Sequence, residues 1–147
     1  FKPEKIKVLN PVNVEYNTLR NSIISSLMKI LNENKHYEYP HKIFEIGNVF
    51  LKEENENLGL LSCHNNANFT EIKQILDYLL NALDLSYNLN EAENNAFIKG
   101  RAGEIICKGK KLGYIGEINP KVINNFNLEM PVSGFEINLS EVFELVI

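Results

Sequence analysis

The stretch Lys42–Leu51, KIFEIGNVFL, decides the fold of this chain. Its apolar residues, Phe44 and Ile46 among them, stand at even spacing, and alternation with a period of two is typical of a β-strand. The polar segment Glu53–Asn57 follows, and a second apolar run, Leu58–Cys63, comes after it. Two strands joined by a short polar turn form an antiparallel hairpin, so we predict a sheet built outward from this pair.

Amphipathic helices flank the predicted hairpin on both sides in the sequence. The first is predicted from Tyr16 to Asn34, and the second from Thr70 to Leu83. Apolar residues of the first recur at helical spacing on one face, namely Leu19, Ile23, Leu27, Ile30 and Leu31. Asn68 or Thr70 can cap the second helix, because either side chain can accept a hydrogen bond from a free backbone N–H.

The second half of the chain continues the alternation of strands and helices. The predicted features are a polar loop at Asn88–Asn95, strands at Ala102–Cys107 and Leu112–Ile118, a short helix from Asn119-Pro120, a strand from Pro131 to Leu139 and a last helix capped by Ser140. Strands that are mostly consecutive, with helices between them, indicate an α+β fold with a mostly antiparallel sheet. No linker interrupts the pattern, so we expect residues 1–147 to form a single domain.

Composition and charge narrow the class of protein. The chain has 147 residues, 44% of them hydrophobic, and a net charge of −4. A general nucleic-acid clamp would be basic, so this balance argues against one. No apolar run is long enough to cross a bilayer, and two cysteines, Cys63 and Cys107, fit a reduced cytoplasmic protein. Because the chain begins with Phe1, we expect it to be a fragment of a longer polypeptide.

Six short motifs occur along nearly the whole chain. They are Asn10-Pro11, Leu19-Arg20, Phe44-Glu45-Ile46-Gly47, Gly100-Arg101, the stretch from Gly113 to Pro120 and the stretch from Phe135 to Leu139. In this order they resemble the C-terminal, synthetase-like domain of phenylalanyl-tRNA synthetase beta subunits of the archaeal and eukaryotic type. The resemblance implies a class II aminoacyl-tRNA synthetase core. The motif positions that carry it are Asn10, Pro11, Phe44, Glu45, Gly47, Gly100, Arg101, Gly116, Glu117, Pro120 and Glu136.

The resemblance also makes the scarcity of arginine informative. Class II synthetases use arginines in their second and third motifs to bind the phosphates of ATP, because the planar guanidinium makes paired hydrogen bonds to phosphate oxygens. The matching strands here carry Glu45 and Glu136, and the only arginines of the chain are Arg20 and Arg101. Loss of one such donor costs roughly 3–4 kcal/mol of transition-state stabilisation. We therefore expect no catalytic, cofactor-binding or metal-binding residue in this domain, with ATP and Mg²⁺ belonging to the whole enzyme.

The resemblance implies partners as well. In the family the alpha subunit carries the active site of an α2β2 enzyme that attaches phenylalanine to tRNA(Phe), and first-motif helices of the two subunits pack together. The candidate interface is accordingly the face formed by Leu19, Arg20, Ile23, Leu27, Ile30 and Leu31. A helix that is wholly internal fits the same pattern. For Arg20 an ion pair across an interface and an internal salt bridge are both open.

Two other functions are compatible with parts of the sequence. One is a divergent stand-alone class II adenylating enzyme, and the other is a tRNA-contacting module. The second would act through Arg101 and the lysines of the predicted hairpin tip, Lys108, Lys110 and Lys111, although a solvated turn and a strand-ordering role for Arg101 are the simpler interpretations. Glu117 and Glu136 form a conceivable acid/base pair, but we expect them to be conformational anchors or surface carboxylates.

Overall fold

A computed structural model describes residues 19–147 and shows four helices and six strands in that range. In chain order they are α1 (Ile23–Glu33), β1 (His41–Phe50), β2 (Glu54–Cys63), α2 (Phe69–Ala82), β3 (Asn88–Glu91), β4 (Phe97–Cys107), β5 (Lys110–Ile118), α3 (Pro120–Asn125), β6 (Val132–Asn138) and α4 (Leu139–Val146). The α+β class is therefore confirmed.

The strands form one six-stranded sheet in the order β1-β2-β6-β5-β4-β3. Every neighbouring pair is antiparallel. The predicted hairpin is present, with Phe44 opposite Leu60 and Glu45 opposite Gly59. Residues that stand directly opposite one another on neighbouring strands form a row across the sheet. From β1 to β4 this row consists of Glu45, Gly59, Glu136, Tyr114 and Glu104. Because directly opposed residues point to the same side, the side chains of this row share one face.

Helices cover both faces of the sheet and create two apolar clusters. Helix α1 packs on the face of the row, which we call the α1 face, and buries Ile23, Leu27 and Leu31 there. Helices α2 and α4 pack on the opposite face, the α2 face, against Ile115 and Phe135 among others. The sheet is thus the middle layer of three, and its strands carry side chains into both clusters.

The first helix is shorter than predicted. It begins at Ile23 and follows a non-helical stretch at residues 19–22, so the predicted start at Tyr16 is wrong for the described part. Leu19 continues the apolar periodicity of the helix but is not part of it. The motif residues Asn10 and Pro11, and residue Tyr16 itself, lie outside the described residues.

Two strand boundaries in the second half also differ from prediction. The segment predicted as a loop contains β3, Asn88–Glu91, which pairs with β4 as an edge strand. Edge strands are often polar, which hides them from an apolar pattern. Strand β4 begins at Phe97 instead of Ala102, because a register shift between those two residues breaks the alternation near Gly100, whose φ is +81°.

Asparagines begin three of the four helices. Asn68 accepts a hydrogen bond from Glu71 N at 2.9 Å, and Asn119 accepts one from Lys121 N at 3.0 Å, with Pro120 at the first helical position as predicted. Helix α4 is capped by Asn138, which accepts from Glu141 N at 3.1 Å, and not by Ser140. Asn138 is itself the last residue of β6, so the helix begins as soon as the strand ends.

Candidate functional site

Residues of the β1 motif contact the Arg20 side chain on the α1 face. Arg20 Nη1 lies 2.6 Å from Glu45 Oε1, and Arg20 Nε donates to the carbonyl of Asn48 at 2.9 Å. The guanidinium lies over Gly47, where any side chain would overlap with it. One ion pair therefore joins the Leu-Arg and Phe-Glu-Ile-Gly motifs, and a side chain at position 47 would require the Arg20 guanidinium to shift. Of the two roles open for Arg20, the internal salt bridge is present.

Glu136, on the central strand β6, binds the start of α1. Its Oε2 accepts a hydrogen bond from Ser22 Oγ at 2.9 Å, and its Oε1 accepts one from Ile23 N. Ser22 is at the N-cap position but makes no side-chain cap of its own. A carboxylate at a helix N-terminus satisfies a free N–H and interacts favourably with the helix dipole. Glu136 thus caps α1 from the sheet.

Burial raises the pKa of the Glu136 carboxyl above its ordinary value, although hydrogen bonds from Ile23, Ser22 and Asn57 and the charge of Arg20 oppose the rise. The carboxylate lies at the wall of a cleft of about 800 Å³ on the α1 face. Asparagines dominate the polar lining of this cleft, which includes Asn21, Asn55, Asn57, Asn94 and Asn138. Two lysines, Lys52 and Lys111, are also at its edge.

Glu117 caps the start of α2 in the same way as Glu136 caps the start of α1. Its Oε2 accepts a hydrogen bond from Phe69 N, the first residue of the helix, at 3.2 Å, and its Oε1 lies 3.1 Å from Arg101 Nη1. Arg101 is therefore joined to the strand next to its own, in agreement with a strand-ordering role. Gly116 beside it is packed closely against Phe97 and Ala102, so a side chain there would displace β4.

Glu117 and Glu136 cannot act together as an acid/base pair. Tyr114 stands opposite Glu136 in the β5–β6 register, and Glu117 is three residues further along β5. Successive residues of a strand point to opposite faces, so an offset of three puts Glu117 on the α2 face and Glu136 on the α1 face. Of the two roles expected for these carboxylates, anchoring and simple surface exposure, both residues have the first.

The candidate interface residues are divided between the core and the surface. Ile23, Leu27 and Leu31 are 0–1% exposed and pack inside the domain. Three others are accessible: Leu19 is partly buried, the Arg20 side chain is 31% exposed, and Ile30 is 38% exposed. Contact between α1 and a partner subunit stays a prediction, and only the accessible three could take part in it.

The lysines of the β4–β5 hairpin tip are all engaged within the domain. Lys110 lies 3.2 Å from Glu141 and 3.3 Å from Glu144, both on α4. Lys108 donates to the carbonyl of Leu145 at 3.2 Å. Lys111 lies 3.4 Å from Glu104 and 4.0 Å from the centre of the Tyr114 ring. The lysines of the tip therefore contact α4 and strand β4, and each of them lies near an acceptor within the domain.

A polar cluster at the start of α2 was missed at the level of sequence. Ser62 Oγ donates to Glu71 Oε1 at 2.5 Å, and His64 Nε2 lies 2.8 Å from Glu71 Oε2. His64 Nδ1 accepts a hydrogen bond from Asn66 N at 3.2 Å, so the ring lies between Asn66 and Glu71. Burial tends to raise the pKa of Glu71, but hydrogen bonds from Ser62 and His64, together with the charge of Lys42, lower it overall.

The spacing Asn68-x-x-Glu71 was the available signal for this cluster, because an acidic residue three positions after an N-cap is a known helix-start pattern. Within residues 19–147, no three His, Cys, Asp or Glu side chains converge on a metal-binding geometry. Across the same range, every helix is too short or too polar to traverse a membrane.

The sheet order, the helix layers and the strand-borne motif positions define a class II aminoacyl-tRNA synthetase-like domain. The same fold occurs in the crystal structure of pyrrolysyl-tRNA synthetase from Desulfitobacterium hafniense, with a TM-score of 0.78 over 96% of this chain and 53% of that chain, at 16% sequence identity. A second structure of that synthetase aligns with a TM-score of 0.76 at 15% identity, again over 96% of this chain and 53% of the other.

Sequence relatives then specify the family. The chain is 42% identical over 146 residues to the phenylalanine–tRNA ligase beta subunit of Thermococcus onnurineus, covering 94% of this chain and 26% of the relative. The beta subunit of Methanocaldococcus jannaschii is 43% identical over 142 residues, with 91% and 26% covered. The family model of the phenylalanyl-tRNA synthetase beta chain CLM domain matches residues 2–139. The chain belongs to this family, and it spans about a quarter of the length of the curated relatives it matches.

Proposed function

We propose that this domain is a non-catalytic, synthetase-like module of a phenylalanine–tRNA ligase beta subunit. It packs against the catalytic alpha subunit and supports assembly of an α2β2 enzyme that attaches phenylalanine to tRNA(Phe) in the cytoplasm. ATP and Mg²⁺ are used by the whole enzyme at the alpha subunit. Family membership supports the setting, and the arrangement of charges on the α1 face supports the lack of catalysis.

The single observation that carries this proposal is the use of both motif carboxylates for internal contacts. Strands β1, β2 and β6 contain no arginine and one lysine, Lys42. Lys42 stands opposite Ser62, and the Ser62 hydroxyl donates a hydrogen bond to Glu71 of α2. Lys42 is therefore on the α2 face. A phosphate on the α1 face of these strands would therefore meet Glu45 and Glu136, whereas the cations nearest to them, Arg20 and Lys111, are paired with Glu45 and Glu104.

The alternatives have less support from the same contacts. An adenylating enzyme needs preorganised donors where negative charge develops, and Glu45 and Glu136 are acceptors at those places. A tRNA-contacting module would need free cations, whereas the three lysines of the hairpin tip and Arg101 each lie within 3.5 Å of an acceptor in the domain.

Active-site titration of the assembled enzyme tests the lack of catalysis. With phenylalanine, ATP and inorganic pyrophosphatase, we expect one tightly held aminoacyl-adenylate per αβ pair, formed at the alpha subunit. When the alpha active site is inactivated by substitution, the count should fall to zero. Two adenylates per pair, or one that survives alpha inactivation, would overturn the proposal.

Co-purification tests the assembly role. Full-length beta subunit and a version that lacks residues 19–147 are each produced with a tagged alpha subunit and studied by size exclusion with light scattering. We expect the intact chain to form a particle of the α2β2 mass and the shortened chain to leave alpha alone. Equal complex formation by both chains would remove the assembly role.

A further inference from the structure

A cleft, which we call the end cleft, opens where β5 ends and β6 begins. It has a volume of about 570 Å³ and is lined by residues of α3 and of the 64–68 segment that precedes α2. Its floor is aliphatic and consists of Ile98, Ile118, Pro120, Ile123, Pro131 and Val132. Three of these residues belong to the apolar cluster under α1, so the core holds the floor in place. The described chain begins at the opposite end of the sheet, where Arg20 O accepts from Phe50 N.

An irregularity in β4 brings two side chains to this cleft. The residues 98–101 stand across from Glu117 alone, between two regular pairs of the β4–β5 ladder. Gly100 takes the positive φ of +81° that this irregular stretch contains. Ile98 and Arg101, on either side of it, both line the cleft. Bulges redirect side chains and are frequent next to active sites, so the departure from the ladder has a use here.

Arg101 has hydrogen-bonding capacity that the domain leaves unused. Its Nη1 lies 3.1 Å from Glu117 Oε1, and this is the one bond of the guanidinium to a residue of the described range. Glu117 Oε2 is held by Phe69 N, so the glutamate fixes one edge of the guanidinium. A guanidinium has more N–H donors than one bond uses, and its planar fork binds carboxylates through paired bonds. The side chain is 62% exposed, which keeps the second edge accessible.

Glu129 supplies the opposite charge in the same cleft. Its side chain is exposed and forms no hydrogen bond or ion pair within residues 19–147. The carboxamides of Asn66 and Asn124 also line the cleft and are likewise unengaged in that range. One cation and two carboxylates in the lining disfavour a polyanion such as a nucleic acid. A small ligand that carries both charges can instead bind Arg101 and Glu129 together.

We propose that the end cleft binds a small aliphatic zwitterion. The carboxylate of the ligand binds the open edge of Arg101, its ammonium group binds Glu129, and its branched aliphatic group lies on the floor. No aromatic ring is among the described lining residues, so an aromatic ligand gains no stacking partner there. This binding does not depend on the proposed assembly role, because every contact comes from this domain alone.

Leucine and two of its truncated relatives test the two charges separately. 4-Methylpentanoate lacks the ammonium group, and 3-methylbutylamine lacks the carboxylate. Each is titrated into the full-length beta subunit and followed by methyl NMR at Ile98, Ile118 and Ile123, with Ile30 and Ile75 outside the cleft as references. We expect saturable shifts at the three cleft methyls, and leucine should bind about tenfold or more tightly than either relative. Unshifted cleft methyls, or equal affinities for the three probes, would overturn the proposal.

Charge-removing variants assign each contact. Arg101→Gln should weaken leucine binding about tenfold or more without weakening that of 3-methylbutylamine, and Glu129→Gln should weaken leucine binding without weakening that of 4-methylpentanoate. Lys99→Gln removes a charge close to Arg101 in sequence but outside the lining, so it should weaken none of the probes. Because these side chains are exposed, thermal unfolding should change little in the three variants. An equal loss for leucine and for 3-methylbutylamine in Arg101→Gln would contradict the assigned contact.

Phenylalanine tests the aliphatic character of the site. At the same three methyls it should bind no more tightly than leucine, because the floor offers no ring to stack on. A preference for phenylalanine of about tenfold or more would overturn the assignment to an aliphatic ligand.

Discussion

Glu136 and Glu117 make the same contact in two different environments. Each extends from a strand and accepts a hydrogen bond from the first backbone N–H of a helix, α1 in one case and α2 in the other. Glu136 is enclosed beneath α1, where burial raises its pKa. Glu117 shares its charge with Arg101, whose side chain is 62% exposed. The anchor of α1 is thus desolvated, and the anchor of α2 is paired with an arginine that is open to solvent.

The difference shows that the same helix-start contact can be made in a desolvated position and beside an exposed arginine. On the central strand β6, the Glu136 carboxylate is hydrogen-bonded to the start of helix α1. Loss of the enclosed anchor should therefore affect stability more than loss of the open one. Substitutions on the two faces should accordingly differ in their effect on the free energy of unfolding.

The largest effect is expected from Leu27→Glu. Leu27 is 1% exposed and lies against Gly59, so a carboxylate would be buried without a partner. We expect a loss of about 4 kcal/mol or more in the free energy of unfolding, enough to unfold the domain. Circular dichroism and urea titration measure it. A folded Leu27→Glu protein would show that this face of α1 is not core.

The second effect is that of Glu136→Ala. Removing the carboxylate leaves Ile23 N–H without an acceptor and frees the start of α1, which should cost about 2–3 kcal/mol. Hydrogen exchange should then quicken first at the N-terminal end of α1, with α2 protected as before. If α1 and α2 lost protection equally, Glu136 would not be a local anchor.

The third prediction is that the contributions of Glu136 and Glu71 to stability depend on pH in opposite directions. The pKa of Glu136 is raised above its ordinary 4.5, so the folded state binds that proton more tightly than the unfolded state. The stability of the wild type relative to Glu136→Gln should therefore increase as pH falls through the window above 4.5. Glu71, on α2, has a lowered pKa, so its advantage over Glu71→Gln is present above 4.5 and lost as pH falls below that value.

Urea titrations of the three proteins from about pH 3 to about pH 8 compare these slopes, and the two stability differences should change in opposite directions as pH falls. Slopes of the same sign would mean that Glu136 is not held in a desolvated environment.

The smallest effect is expected from Arg101→Ala. The Arg101–Glu117 pair is largely exposed on the arginine side, and such pairs contribute about 0–1 kcal/mol. Glu117 retains its bond to Phe69 N, so α2 should keep its start. A loss above about 2 kcal/mol in thermal or urea unfolding would contradict the contrast between the open and the enclosed anchor.

The sequence predicted the elements whose pattern is strong and local. The β1–β2 hairpin, α2 with its Asn68 cap, and α3 with Asn119-Pro120 all follow from periodicity or capping chemistry. Strand β3 escaped detection because an edge strand need not be apolar, and the start of β4 because its register shifts near Gly100. The start of α1 was placed too early, since Leu19 continues the apolar period of a helix to which it does not belong.

The candidate site was predictable in its residues but not in its contacts. Motif order singled out Arg20, Glu45, Gly47 and Glu136, and an anchoring role was expected for Glu136. Which helix it anchors depends on the strand order, which brings β6 between β2 and β5 and places Glu136 under Ser22. The burial of Ile23, Leu27 and Leu31 within the domain could not be told from burial at an interface, because both give the same apolar stripe.

The proposed lack of catalysis in this domain requires that Glu136 be a structural group and not a reacting one. The direct measurement is the aminoacylation rate of the assembled enzyme with Glu136→Gln, a substitution that keeps an oxygen able to accept from Ile23 N. At saturating phenylalanine, ATP and tRNA(Phe), we predict a kcat within a factor of about three of the unmodified enzyme and an unchanged α2β2 mass. A fall of 100-fold or more in kcat, in a tetramer of unchanged mass and thermal stability, would contradict it.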